Sequence, residues 1–244
     1  MQLTVLGTGC PIPDPLRAQA GYLLEKSDKL LLVDCGAGIF HQLSKLGVSW
    51  AKLDTFLLTH HHLDHMSDLL PILTGRWLMG FPQATVYGPS GTQALIRNWV
   101  ELYPYVRDFV SITVHDTKEG KNESIAGFDV SSMAMRHHVT SLAYKFDNEL
   151  IICGDSEPLP SLKTFANGCK LLIHECSYLD GHKPNGHATP ATLGQALAGA
   201  NVKTIVLTHF YPEAALRTAE LVQTVGRYFS GQIEIATELK KYVL

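Results

Sequence analysis

Thr59-His60-His61-His62-Leu63-Asp64-His65 places four histidines and an aspartate in seven consecutive positions. Histidine at i and i+2, followed by Asp-His at i+4 and i+5 on a tight turn, offers two groups of donors a few ångströms apart. Imidazole and carboxylate are the usual ligands of zinc and related divalent ions. The apolar run before it, Thr55–Leu58, reads as a buried strand that leads directly into the histidines. Polar groups delivered to the end of a buried strand need partners, because an unpaired one is costly.

Outward from this turn, Asp68 to Met79 reads as a helix with Pro71 in its first turn, where proline is tolerated. Thr204-Ile-Val-Leu-Thr-His209 echoes Thr55-Phe-Leu-Leu-Thr-His60. Both are apolar strands that deliver a histidine, as two related halves facing one site would. Before the turn, Leu3–Leu6, Gly21–Leu24 and Leu30–Val33 read as strands. Ile39, Phe40, Leu43 and Leu46 recur at helical spacing up to Gly47. After it come a strand at Thr85–Tyr87 and a helix at Thr92–Leu102, with Leu95, Trp99 and Leu102 on one face. Strands follow at Ile112–Val114, Ile125–Val130, Ser132–Met135, Ser141–Phe146, Leu150–Cys153 and Lys170–Ile173. Thr189 and Pro190 form an N-cap and a first-turn proline opening a helix. Thr204–Leu207 is a strand, Glu213–Phe229 a helix, and Ile233–Ala236 the last strand. This interleaving predicts two central sheets with helices outside, in one domain over residues 1–244.

The chain has 244 residues, 45% of them hydrophobic and 18% charged, which supports a large core and excludes a disordered chain. A net charge of −3 excludes a basic surface over the whole body. No run of 18 apolar residues is present, so no membrane span is expected. Met1 to Pro15 lacks the basic start and apolar core of a signal peptide. Five cysteines without a CxxC spacing predict reduced, buried thiols in a cytoplasmic protein.

His60-x-His62-x-Asp64-His65 resembles the signature of the metallo-β-lactamase fold superfamily. The rest of that pattern is matched by His137 before Val139–Tyr144, by Gly154-Asp155 after Ile151-Ile152-Cys153, and by His209 after Leu207-Thr208. The resemblance implies an α/β four-layer αββα sandwich, two mixed β-sheets flanked by helices. It also implies two divalent metal ions, one on His60, His62 and His137, the other on Asp64, His65 and His209, with Asp155 bridging. His137 is preferred to His138 by its distance from Tyr144, and His61 falls between ligands. Asp155 in place of a cysteine argues against a β-lactamase. His62 in place of a glutamate argues against the oxygen-reducing diiron branch. Zinc is the default ion, with manganese and iron as alternatives.

Two further segments narrow the branch. Leu171-Leu-Ile-His-Glu175-Cys176 and Gly186-His187-Ala188-Thr189-Pro190 resemble segments of ribonuclease Z, and Gly7-Thr8-Gly9 with Pro15-Leu16-Arg17 resembles its substrate-side loop. The resemblance implies hydrolysis of a phosphodiester by a hydroxide shared between the metals. For that chemistry Asp64 is the candidate to orient the nucleophile or accept its proton, His187 the general acid with Glu175 as its orienter, and Arg17 the hold on the substrate phosphate, since guanidinium matches two phosphate oxygens. Ribonuclease Z carries a long tRNA-gripping arm between the residues matching His137 and Asp155; here 17 residues separate them. The expected substrate is therefore a small or cyclic phosphodiester. Transfer-RNA 3′-end processing is the alternative, and sulfate-ester, thioester or lactone hydrolysis a further one. Relatives of this branch are often dimers, so a homodimer is expected.

Overall fold

The computed structural model describes residues 1–183 and 185–244. The first half of the chain lays down β1 (Gln2–Gly7), β2 (Gly21–Lys26), β3 (Lys29–Cys35), β4 (Thr55–Leu57), β5 (Gln83–Pro89) and β6 (Ser111–Thr117). The second half adds β7 (Asn122–Ile125), β8 (Phe128–Met135), β9 (Ser141–Phe146), β10 (Leu150–Cys153), β11 (Leu171–Glu175), β12 (Thr204–Thr208) and β13 (Gln232–Ile235). A last strand, β14 (Lys241–Val243), returns to the first sheet. The sheets run β14-β1-β2-β3-β4-β5-β6 and β13-β12-β11-β10-β9-β8-β7, each mixed. From β3 to β6 and from β10 to β13 the neighbouring strands are parallel.

Helices α1 (Ile39–Leu46), α2 (Leu63–Met66), α3 (Leu69–Leu78), α4 (Thr92–Glu101) and α5 (Pro104–Phe109) belong to the first half. The second half has α6 (Ser161–Phe165), α7 (Pro190–Ala196), α8 (Pro212–Leu216) and α9 (Thr218–Val225). Period-two alternation explains why the central strands read as unbroken apolar runs, since both faces are buried. Leu30 and Leu32 of β3 pack against the first-half helices, while Leu31 and Val33 join the core between the sheets. In β12, Ile205 and Leu207 pack under the second-half helices, and Val206 meets the inter-sheet core. The result is the four-layer αββα sandwich.

Three expectations are corrected. The expected helix over Glu213–Phe229 is two helices, separated at Arg217, whose φ of −124° and ψ of 31° lie outside the helical region. No proline or glycine marks that break. The strand expected at Ile125–Val130 is a turn between two strands. Ala126 and Gly127 both take positive φ, 48° and 79°, the conformation a two-residue hairpin requires. Leu102 lies just beyond α4 and is 73% exposed, because the chain turns at Tyr103-Pro104 into α5.

The segment between His137 and Asp155 is a plain hairpin, with β9 and β10 antiparallel and joined at Asp147–Glu149. No arm leaves the body there. Among the described residues, no helix is long and apolar enough to cross a membrane, and all five cysteines are buried and unpaired.

Candidate metal centre and active site

Parallel strands that end together bring their following residues together. β4 ends beside β3, and the turn beyond it carries His60, His62, Asp64 and His65, the last two on α2. On the facing sheet, β10 is followed by Asp155, β11 ends in Glu175, and β12 is followed by His209. His209 sits at a φ of 57° and Asp34, at the end of β3, at 55°, so both backbones are turned into the left-handed region. Gly154 is required for close approach: a Cβ there would lie 2.9 Å from the Leu142 carbonyl oxygen and from Thr59 Cβ.

Two groups of donors converge. His60, His62, His137 and Asp155 form one, and Asp64, His65, Asp155 and His209 the other, with ligand atoms within 4.8 Å of one another in each. Asp155 is common to both. His137 Nε2 lies 3.1 Å from His62 Nδ1, and His60 Nε2 lies 3.8 Å from Asp155 Oδ2. In the second group, His65 Nε2 is 3.4 Å from Asp155 Oδ1, and His209 Nε2 is 3.1 Å from Asp64 Oδ2 and 3.2 Å from Asp155 Oδ2.

The outer nitrogens of four rings are tied elsewhere, which aims the inner ones. His60 Nδ1 meets Thr59 Oγ1 at 3.0 Å, and His65 Nδ1 donates to Asp34 Oδ2 at 2.7 Å. His137 Nδ1 donates to the Gly186 carbonyl at 2.7 Å, and His209 Nδ1 meets Ser177 Oγ at 3.0 Å. Metal-binding imidazoles are oriented in this way. His60 Nε2, His65 Nε2 and Asp155 Oδ2 are buried and have no hydrogen-bond partner among the described residues. Three such atoms pointing into one space fit a divalent ion and are otherwise costly. The donor set thus suits divalent metal binding.

Burial holds His60 well below the ordinary imidazole range. Burial would also lower His65, but Asp155 and Asp34 outweigh it and hold this ring well above that range. Burial alone would raise Asp155; His209 and His65 instead hold it well below the carboxylate range.

Beside this centre lies a second pair. Glu175 Oε1 accepts from His187 Nδ1 and from the Ser156 amide, both at 2.8 Å, and Oε2 accepts from the Ala188 amide at 3.1 Å and from Ser177 Oγ. All four contacts are donors, so this carboxylate is spent on positioning. Burial would lower His187, but the hydrogen bond to Glu175 outweighs it and raises the ring above its usual range. Its Nε2 carries no hydrogen bond among the described residues, and the ring lines an open cleft of about 750 Å³ over the centre. His187 precedes α7, whose N-cap Thr189 forms a capping box with Thr192.

The structure therefore brings together His60, His62, Asp64, His65, His137, Asp155, His209, Glu175 and His187. It does not bring Arg17 to them. The Arg17 guanidinium donates to Thr8 Oγ1 at 2.6 Å and lies 5.0 Å from the centroid of the Phe210 ring, and Arg17 is not among the residues that line the cleft. His138 bonds the Asn185 carbonyl at 3.0 Å and His61 contacts Thr92 Oγ1 at 2.8 Å, both outside the donor groups. Sequence reasoning missed Asp34, Ser177, Tyr178 and Tyr211. For Asp34 a signal existed, a carboxylate directly after the apolar run Leu30–Val33. Tyr178 and Tyr211 line the cleft with ring centroids 4.8 Å apart.

A family model for the beta-lactamase superfamily domain matches residues 29–210. The chain is 27% identical to a ribonuclease Z of Mycobacterium avium (strain 104), covering 99% of this chain and 97% of that one. That alignment runs over 286 positions, so the relative carries segments this chain lacks. Among solved structures, the metallo-beta-lactamase fold protein YhfI from Bacillus subtilis superposes with a TM-score of 0.85 at 23% identity, covering 99% of this chain and 98% of that one. Human tRNase Z, short form, superposes with a TM-score of 0.78 at 23% identity, covering 100% and 99%.

Proposed function

The chain belongs to the beta-lactamase superfamily, and from that premise we propose that it is a two-metal hydrolase of small phosphodiesters. The observation that carries this reading is Asp155, a buried carboxylate common to two His/Asp groups, one of whose oxygens has no hydrogen bond among the described residues. His60, His62 and His137 would hold one ion, Asp64, His65 and His209 the other, and Asp155 would contribute to both. The nitrogen-rich, thiolate-free set suits zinc. When bound, two such ions lower the pKa of a shared water and clamp the phosphoryl oxygens.

The chain's own residues supply the proton traffic. The water oxygen bonds to phosphorus while the bond to the leaving oxygen breaks with its electron pair. Asp64, in the cleft lining, takes the proton that the water gives up. The leaving oxygen takes a proton from His187 Nε2, since an alkoxide departs poorly. Glu175, fixed by its other donors, accepts from His187 Nδ1, which orients the ring and favours its protonated form.

The hairpin in place of an arm supports a small substrate. So does the cleft lining, in which no lysine or arginine stands among the described residues. A long polyanion is gripped through such cations. The similarity to ribonuclease Z over nearly the whole chain favours a second reading, cleavage of a tRNA 3′ trailer.

The test is a paired assay on zinc-loaded protein, with bis-nitrophenyl phosphate in one arm and a precursor tRNA with a 3′ trailer in the other. Turnover of the diester with an intact trailer is expected. Cleavage of the trailer at one defined position would replace this reading by the second, and no turnover of either would overturn both.

A further inference from the structure

Two tyrosines flank the proposed proton donor. The Tyr178 ring lies 5.7 Å from His187, edge-on at 89°, and the Tyr211 ring lies 5.8 Å away at 66°. Both rings are half-buried and line the cleft. Their positions are set by backbone. The Tyr178 amide donates to the Ala188 carbonyl, next to His187, and the Tyr211 amide donates to the Ser177 carbonyl. His182 stacks on Tyr178 at 5.2 Å and 10°, which holds that ring flat. Pro212 at the first position of α8 stiffens the chain after Tyr211.

The leaving oxygen must lie within hydrogen-bond reach of the group that protonates it. Whatever is attached to that oxygen therefore rests beside His187, whose ring neighbours are the proposed ligands His137 and His209 and the two tyrosines. Aromatic faces favour planar partners through offset or edge contacts. A leaving group with a charge of its own finds no lysine or arginine in the lining among the described residues. A second phosphate there would meet hydroxyls and imidazoles and no permanent cation among the described lining residues.

We propose that Tyr178 and Tyr211 form the leaving-group subsite, and that it selects phosphodiesters whose leaving group is uncharged and carries a planar ring, of aryl or nucleoside type. This rests on the phosphodiesterase reading and on His187 as the acid. The tyrosines touch the substrate and set its specificity; the bond-breaking step is unchanged by them.

The experiment compares methyl phenyl phosphate with methyl hexafluoroisopropyl phosphate, whose leaving groups are of similar acidity but differ in having a ring. Zinc-loaded wild type is compared with Tyr178→Leu and Tyr211→Leu, which keep apolar bulk. Stacking on one aromatic side chain is worth roughly 5- to 100-fold. Wild type is expected to prefer the phenyl ester by about that factor in kcat/KM. Each variant should lose most of the preference through KM, with a larger loss on the phenyl ester than on the fluoroalkyl ester. Calorimetry with methyl benzylphosphonate, in which a P–C bond replaces the bond to the leaving oxygen, should show the same loss of affinity, and zinc content should stay that of wild type. Equal losses on both esters, or a wild type without preference, would overturn the subsite while leaving the phosphodiesterase reading intact. A wild type that cleaves bis-nitrophenyl phosphate but binds the phosphonate as tightly after either substitution would overturn it as well.

Discussion

The two histidine-bearing strand ends of this molecule are built alike and equipped differently. Thr55–His60 and Thr204–His209 are both buried segments that run parallel to their neighbours and present a histidine past the last paired residue. Beyond His60 the chain stays at the site and adds His62, Asp64 and His65 within one turn. Beyond His209 the chain leaves into α8. The second sheet makes up the difference by convergence: Asp155, Glu175, His187 and His209 arrive from four separate segments. A local cluster shares its supports, whereas a converged one is supported residue by residue. Asp34 shows the first case, holding His65 directly and reaching His60 through Thr59. Ser177 shows the second, bridging His209 to Glu175 alone.

That contrast can be broken most severely at the one residue both groups share. Asp155→Ala should abolish activity and leave the protein without its pair of ions; two ions per chain by elemental analysis would remove the bridging assignment. Next in size is His187→Ala. It should keep both ions and slow turnover by about 10²–10⁴-fold. The loss should be greater for alkyl than for nitrophenyl leaving groups, and equal losses would argue against a proton donor. A smaller effect sharpens the comparison of supports. Ser177→Ala should weaken one of the two bound ions by about 10–100-fold, whereas Asp34→Asn should weaken both. Stepwise zinc titration distinguishes these, and identical titrations for the two variants would erase the difference between the halves.

The smallest expected effect concerns Arg17. Sequence reasoning gave it the substrate phosphate, but its side chain is engaged with Thr8 and Phe210. Arg17→Met should leave KM within about twofold. Losing a cation–π contact worth about 1 kcal/mol should lower the melting temperature by about 2–4 °C. A large rise in KM with an unchanged melting temperature would return Arg17 to the substrate.

Much of the fold was legible because the central strands are buried on both faces. That makes them apolar runs bounded by turn residues, as at Leu150–Cys153 and Thr204–Thr208. The hairpin at Ala126-Gly127 was misread because Ile125 and Phe128 are both apolar, and one run of hydrophobic residues conceals a reversal. The break at Arg217 was hidden for another reason, since no residue there opposes a helix. The short helices α2, α5 and α6 have too few turns to show a period.

By itself, the sequence determined the turn from His60 to His65, the alternation of strands and helices, and the absence of an arm. Each of these depends on residues close together along the chain, where backbone geometry limits the distances. Only the tertiary structure decided the distances: Asp155 lies within reach of both donor groups, as the resemblance implied, and Glu175 accepts from His187 and from three other donors. It likewise decided that Arg17 engages Thr8 and Phe210 and that Tyr178 and Tyr211 line the cleft beside His187. Those relations join segments tens of residues apart, and their distances are set by the packing of one sheet against the other.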